Sequence, residues 1–308
     1  MNELVFDVPL ESKGERLDKW LSDAESSLTR NAIQKLIENN AVLINGNPAA
    51  KNYKLKGREM IIVQLPDPEP LDVIPQDIPL EIVYEDDDLL VVNKPKGMVV
   101  HPAAGNYDNT LVNALLFHCK GSLSSINGII RPGIVHRIDK LTSGLLVVAK
   151  NDVSHNFLAE QIKEHTFTRE YQAINCGRFK EATGTVDAPI GRSKYDRKKM
   201  CVTEQNSKHA VTHYEVIEEF GQYSRVVFRL ETGRTHQIRV HSAYIGHPVL
   251  GDEVYGKPFK GIDGQCLHAK KLGFIHPSTK EYIEFDSELP DYFHKIMSQL
   301  KKQIGKVN

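Results

Sequence analysis

The stretch Pro132-Gly133-Ile134-Val135-His136-Arg137-Ile138-Asp139-Lys140-Leu141-Thr142-Ser143-Gly144-Leu145-Leu146-Val147-Val148-Ala149-Lys150 begins apolar, turns polar and ends apolar. Its pattern predicts a short strand over Ile134 to Ile138 and a buried strand over Leu145 to Ala149. A tight turn is expected between them, ending in Gly144, which takes positive φ at little cost. Asp139 is the single carboxylate of the stretch, at the lip of that turn. Arg137 stands two positions earlier, so an extended chain directs both side chains to one face. Two readings are open at this point: a reactive carboxylate, or an aspartate that merely caps a turn, as Asp, Thr and Ser commonly do.

Outward from this stretch, the 308 residues suffice for about two domains. The chain is 40% hydrophobic and 26% charged, an ordinary balance for a soluble globular protein. No apolar run approaches the roughly 20 residues of a membrane span, and Met1-Asn2-Glu3 does not open a signal peptide, so a cytoplasmic protein is expected. Cys119, Cys176, Cys201 and Cys266 are scattered, which argues against disulfides and a cysteine zinc site. The formal net charge of -1 conceals strong local patterning. Residues 66–90 hold nine acidic and no basic side chains, whereas residues 192–199 carry a net charge of +4 and residues 225–241 of +3. A polyanion meets such patches rather than the net charge; each patch is equally readable as a solvated face.

Taken in order, residues 1–12 predict an edge strand over Leu4 to Val8. Residues 13–65 predict a small αβ domain: a helix over Arg16 to Ala24 with Leu17, Trp20 and Leu21 inward, and a second over Arg30 to Asn39, capped by Thr29, with Ile33, Leu36 and Ile37 inward. A strand over Ala41 to Ile44, an Asn45-Gly46 hairpin turn and a strand over Met60 to Leu65 complete it. Residues 66–79, opening Pro66-Asp67-Pro68-Glu69-Pro70, read as a stiff, solvated linker. Residues 80–290 then predict a second domain and residues 291–308 a terminal helix and tail. In the second domain, a hairpin over Ile82 to Asn93 leads to a loop and short strand over Asn93 to Pro102. Helices are expected from Thr110 to His118, Ser154 to Glu164 and Thr235 to Ile245, with Thr235 as N-cap of the last. Strands are expected over Phe167 to Cys176, Ala210 to Glu218, Arg225 to Leu230, Phe274 to Ile275 and Tyr282 to Phe285. The fold class is α+β: a small N-terminal αβ domain plus a domain with one long mixed, mainly antiparallel sheet and flanking helices.

A second stretch, Glu231-Thr232-Gly233-Arg234-Thr235-His236-Gln237-Ile238-Arg239-Val240-His241, puts Arg239 near the positive end of its predicted helix, where a cation is disfavoured. It calls for an anion, either an RNA phosphate or an internal carboxylate; a surface arginine with its stem on apolar neighbours is the plain alternative. His236, His241 and His247 fit no zinc spacing and read as core or RNA-facing histidines, so no metal is expected.

Several segments together carry a resemblance. His136-Arg137-Ile138-Asp139 with Thr142-Ser143-Gly144, then Arg169-Glu170-Tyr171-Gln172-Ala173, then Gly233-Arg234-Thr235-His236-Gln237-Ile238-Arg239, then Leu267-His268-Ala269, in this order and spacing, resemble the RluA/RluD family of pseudouridine synthases. Asn93-Lys94-Pro95-Lys96-Gly97 and Gly246-His247-Pro248 with Gly251-Asp252 fit as well. Ile138 departs conservatively from the leucine commoner in the family. The N-terminal segment, with Lys35-Leu36-Ile37, Val42-Leu43-Ile44-Asn45-Gly46 and a late Lys-Gly-Arg, resembles the RNA-binding module of the fourth small-subunit ribosomal protein.

The resemblance implies an isomerase of uridines in structured RNA, large-subunit ribosomal RNA foremost, acting as a monomer without cofactor or metal. It implies that Asp139 is the nucleophile or the base at C2′, that Arg239 pairs with it, and that Tyr171 stacks on or hydrogen-bonds the uracil. Arg137 would fill the space vacated by a flipped base, Ile238 and Leu267 would wall the base, and His136 and Arg234 would contact substrate. Arg30, Lys35, Arg192, Lys194, Arg197, Lys198 and Lys199 are the candidate RNA-binding cations. Two alternatives stand beside this: an RNA-binding assembly factor without catalysis, and a hydrolase using Ser143, which lacks a Gly-x-Ser-x-Gly elbow.

Overall fold

The computed structural model of the chain describes residues 2–25, 28, 30–65, 73–103, 105–120, 122–126, 131–196 and 199–304. They fall into two compact units, Met1–Leu71 and Asp72–Asn308. In the smaller unit, strands β1 (Asn2–Asp7), β2 (Val42–Ile44), β3 (Asn47–Pro48) and β4 (Met60–Leu65) form an antiparallel sheet in the order β1-β4-β2-β3. Asn45 and Gly46 take φ of 49° and 82°, the left-handed pair that a two-residue hairpin needs. Helices α1 (Leu17–Ala24) and α2 (Arg30–Glu38) bury Leu17, Leu21, Ile33, Leu36 and Ile37 in one cluster with Val42, Ile44, Ile61 and Val63. The expected Thr29 cap lies outside the described residues.

The larger unit is built on a nine-stranded sheet. Its strands are β5 (Glu81–Glu85), β6 (Leu89–Lys94), β7 (Ser143–Ala149), β8 (Thr168–Cys176), β9 (Thr183–Asp187), β13 (Val211–Phe220), β14 (Tyr223–Leu230), β15 (Leu267–Ile275) and β16 (Tyr282–Asp286). They run β5-β6-β7-β15-β8-β14-β13-β9, with β16 on β15. Among the described residues, only β7 and β15 pair in parallel. The remaining three strands, β10 (Ile190–Arg192), β11 (Met200–Val202) and β12 (Ser207–Lys208), form a small separate sheet.

Strands β6 and β7 are buried on both faces, which is why they read as unbroken apolar runs rather than alternating ones. Leu90, Val92, Leu146 and Val148 turn toward helix α3 (Leu111–Cys119), while Leu89, Val91, Leu145 and Val147 turn toward helix α4 (Asp152–Lys163). Each such side chain contributes about 1.5–3 kcal/mol of burial. Helix α5 (Gln237–Tyr244) follows β14, and helix α6 (Asp291–Ile304) buries Phe293, Ile296 and Leu300 against Ile174, Phe220 and Leu250. The expected terminal helix is thus present at Asp291–Ile304 and forms part of this unit's core.

The structure corrects several expectations. Ile134 to Ile138 is not a strand; it makes one antiparallel bridge, Ile134 to Val148. The ladder stops there because the next edge donor of β7, the Val147 N–H, goes to the His136 ring Nε2 at 3.0 Å instead of to a backbone carbonyl. No strand forms over Asn93 to Pro102 past β6, because the Val99 and Val100 carbonyls accept the Leu111 and Val112 amides at the start of α3. The larger unit also begins before Leu80: Val73 is buried in its core, and the side-chain amide of Asn113 donates to the Ile74 carbonyl at 2.9 Å. Residues 66–72 of the expected linker lie outside the described residues.

Candidate active site

A cavity of about 530 Å³ in the larger unit is lined by Arg137, Ile138, Asp139, Arg169, Tyr171, Arg234, His236, Ile238, Arg239 and Leu267, among others. Three sequence-distant segments meet there, and the sheet register explains how. Gly144 lies beside Ala269 across the parallel pair, and Ala269 beside Tyr171. Gly144 has φ of 115°, and a Cβ there would stand 2.3 Å from the Ala269 carbonyl oxygen. Only glycine allows this approach, which brings the turn carrying Asp139 down over β15 and β8. Below the turn, Lys94 is fully buried and its ammonium donates to the carbonyls of Pro95, Met98 and Lys140 at 2.9, 2.9 and 3.3 Å. It ties the residue after Asp139 to β6. Burial pushes the Lys94 pKa down to about 7, and the Asp139 charge opposes that shift.

The carboxylate of Asp139, with 21% of its side chain exposed, accepts from Arg239 Nη1 at 2.9 Å. Arg239, on the first turn of α5, is itself held by Asp252, which is wholly buried: Nε to Oδ2 is 2.6 Å and Nη2 to Oδ1 2.9 Å. Burial alone lowers the Arg239 pKa; the hydrogen bonds it donates to Asp252 and the charges of Asp139 and Asp252 outweigh it and raise the pKa, so this guanidinium is permanently charged. Of the two anions open to Arg239 from sequence, the internal carboxylate is the one present, and in duplicate. Asp252 also accepts the Val254 and Tyr255 amides, which fixes its orientation.

Helix α5 begins one residue later than expected. His236, not Thr235, is its N-cap, at φ of 58°. No side chain caps the helix start; the Gln237 side chain instead fixes the turn that leads into it, accepting from the Arg234 amide at 2.9 Å and from the Thr232 hydroxyl at 2.8 Å. The left-handed turn points His236 into the cavity, its Nε2 3.9 Å from Asp139 Oδ1 and its Nδ1 2.8 Å from the Tyr255 hydroxyl. Met200 N–H donates to that same hydroxyl at 2.9 Å. Burial lowers the His236 pKa and raises that of Tyr255. A neutral His236 accepting the tyrosine proton at Nδ1 therefore presents Nε2–H toward Asp139.

Tyr171, Ile238 and Leu267 form the apolar side of the cavity. Burial, with the Asp139 charge, raises the Tyr171 phenol, against the lowering effect of Arg169. Arg137 is exposed at the cavity, its Nη1 3.4 Å from His101 Nε2. His136 also lines the cavity, but its Nε2 is occupied by Val147 and its ring stacks edge-on to Phe167. Arg234 lines the rim and donates from Nε to the His209 carbonyl. His241 is a core histidine between Thr212 and the Ala188 carbonyl, and His247 stacks on Phe179.

The basic stretch 192–199 occupies the β10–β11 connection, where Arg192 and Lys194 are exposed; Arg197 and Lys198 lie outside the described residues. Lys199 is half-buried there. In the smaller unit Lys35 is exposed, whereas Arg30 is partly used internally, its Nε 2.9 Å from buried Asp18. Ser143 does meet a histidine, His268, at 2.8 Å, but both are buried in a network with Ser287 and Tyr292. This removes the arrangement from any substrate and speaks against the hydrolase reading. Among the described residues, Asp86, Asp88 and His276 come close enough to share a cation. Asp86 already accepts from Tyr84, Leu89 and His276, and Asp88 from Ser154 and Ser278.

This combination, a carboxylate braced by a buried arginine in an arginine-ringed cavity on a mixed sheet, agrees with comparison to known proteins. The RNA pseudouridylate synthase family model matches residues 88–244, and an S4 domain matches residues 15–61. The chain belongs to the RNA pseudouridine synthase family, isomerases that convert uridine to pseudouridine in RNA. It is 50% identical over 304 residues to an uncharacterized RNA pseudouridine synthase, YlyB, of Bacillus subtilis, covering 98% of this chain and 99% of that one. It is 49% identical over 299 residues to ribosomal large subunit pseudouridine synthase D of Zymomonas mobilis, covering 93% and 94%. Human RNA pseudouridylate synthase domain containing 1 superposes with a TM-score of 0.56 at 28% identity, over 76% of this chain and 97% of that structure.

Proposed function

We propose that this isomerase acts on uridines of large-subunit ribosomal RNA, the substrate named for several of its relatives, and that Asp139 carries the chemistry. The reaction breaks the C1′–N1 bond, turns the uracil and joins C5 to C1′; the C5 proton leaves to solvent and N1, released from the sugar, takes one up. Atoms and charge balance without a redox partner. A ribose carbon gaining positive charge calls for an adjacent carboxylate, as in glycoside cleavage. Asp139 serves by attack at C1′ or by taking the C2′ proton. The observation that carries this reading is the Arg239 fork, anchored on Asp252, which holds the Asp139 carboxylate in one orientation at the cavity surface. His236 Nε2 stands 3.9 Å from the opposite oxygen, beyond hydrogen-bonding reach.

Tyr171, kept protonated by its surroundings, is a poor base for the C5 proton and a good platform for the uracil ring. Ile238 and Leu267 close the base pocket. A target uridine within a structured region is flipped out to reach this depth, and exposed Arg137 takes its place. The cations of the S4 domain and of the 192–199 connection hold the flanking RNA. The test is release of tritium from large-subunit ribosomal RNA labelled at uridine C5, followed by mapping of the pseudouridines. Release at defined uridines is expected; tight RNA binding without release would reject the isomerase reading in favour of an assembly factor.

A further inference from the structure

Arg169 is the least accounted-for charge at the cavity. It lies on β8 two residues before Tyr171, hence on the same face of the sheet, and lines the cavity with it. It is 7% exposed, yet among the described residues neither it nor its neighbour Arg234 has a carboxylate within 4.0 Å. Its Nη2 donates to the Glu231 carbonyl at 2.7 Å, and its Nε is enclosed with no acceptor at all. The loop over it is shaped to admit the guanidinium: a Cβ on Gly233 would stand 2.6 Å from Arg169 Nη1. Two other arginines of this unit, buried Arg239 and half-buried Arg225, are matched, the first by two aspartates and the second by Gln172 and Glu218. Arg169 is held beside a second cation instead, and burial together with Arg234 lowers its pKa.

A buried, uncompensated cation is destabilising unless an anion arrives to pair with it. The cavity's own carboxylate, Asp139, is already engaged by Arg239. The anions that an RNA substrate brings are its phosphodiesters, and planar guanidinium groups bind them through paired N–H donors. We propose that Arg169, with Arg234 beside it, binds a phosphate next to the target uridine and so sets how far the nucleotide enters toward Asp139. This rests on the isomerase reading above and adds a contact that fixes the depth of the nucleotide.

The experiment is a thermodynamic cycle on a short synthetic RNA around a uridine already mapped as modified by the wild-type enzyme. Single-turnover tritium release and RNA affinity are measured for wild type and Arg169→Gln. The RNA carries native phosphates or one neutral methylphosphonate, 5′ or 3′ of that uridine. On native RNA, Arg169→Gln is expected to lower affinity or rate about ten- to hundredfold, the worth of a charge-assisted hydrogen-bonded contact. One of the two methylphosphonates should cost the wild type a similar factor and cost Arg169→Gln almost nothing more. Arg169→Lys, which keeps the charge but not the fork, should fall between. A purely structural Arg169 gives independent losses that multiply at both linkages, and that result overturns the proposal. Failure of the wild type to release tritium from native RNA would instead strike the isomerase reading itself.

Discussion

Removing the Arg239 guanidinium tests the centre of the site most directly. In Arg239→Ala, Asp252 keeps its two backbone donors, but Asp139 keeps only His236 at 3.9 Å. Two carboxylates, one wholly buried and one about four-fifths buried, lose the charge between them. Breaking a buried pair in this way costs about 3–5 kcal/mol of stability. For a unit of this size that corresponds to a fall in Tm of roughly 6–20 °C. Asp139 without its partner also becomes free to rotate, and a misplaced reactive group loses on the order of 100-fold in rate. RNA affinity, which rests on many phosphate contacts, should change less than about tenfold. Arg239→Lys should recover part of the stability and little of the rate, because a point charge cannot serve two carboxylates at once. Single-turnover tritium release, filter binding and thermal melting report the three quantities separately. A wild-type single-turnover rate in Arg239→Ala, in protein that remains folded, would refute the assignment of Asp139 and its brace as the reacting centre.

Asp139→Asn should abolish tritium release while leaving RNA binding within about tenfold; robust pseudouridine formation by the purified variant would remove Asp139 from the mechanism. Deleting residues 1–70 should leave a folded catalytic unit that binds ribosomal RNA more weakly, its log–log salt slope shallower by roughly 0.7–0.9 per lost phosphate contact, yet modifies the same uridines at high concentration. An unchanged slope would assign the S4 domain to another partner. His268, 1% exposed between two serine hydroxyls, has its pKa lowered from 6.5 to about 4 by burial. The unfolded chain takes up this proton near pH 6.5 and the folded one only near pH 4, so stability is lost as pH falls through that window, by about 3 kcal/mol from this residue. His268→Asn should flatten the corresponding part of a Tm-against-pH curve, and an unaltered slope would show that other histidines account for it.

Much of this architecture is written in local sequence. The apolar run at Leu145–Ala149 and the turn glycine Gly144 mark the strand and the approach that seat Asp139, and the odd position of Arg239 at a helix start announces a nearby carboxylate. Asp252 escaped notice as a site residue because its role is three-dimensional: it stands in a loop 13 positions away and is recognisable only as the second counter-ion of Arg239. The late start of α5 was hidden because the turn before it is held by the side chain of Gln237, which accepts from the Arg234 amide, and not by a cap at Thr235. Strands β9 to β12 are two to five residues long, too short for any periodicity to register, and pairing with neighbours rather than local preference holds them.

The parallel contact between β7 and β15 has a consequence for the order in which the enzyme is made. Gly144 and Ala269 are separated by more than a hundred residues of chain, and Asp139, Arg239 and Asp252 are all fixed through that closure. During vectorial synthesis the S4 domain is complete long before residues 267–275 emerge, and so distant a contact closes only after them. A nascent chain therefore acquires its grip on RNA before its capacity to alter it, and until β15 slots in between β7 and β8 the aspartate lacks its floor.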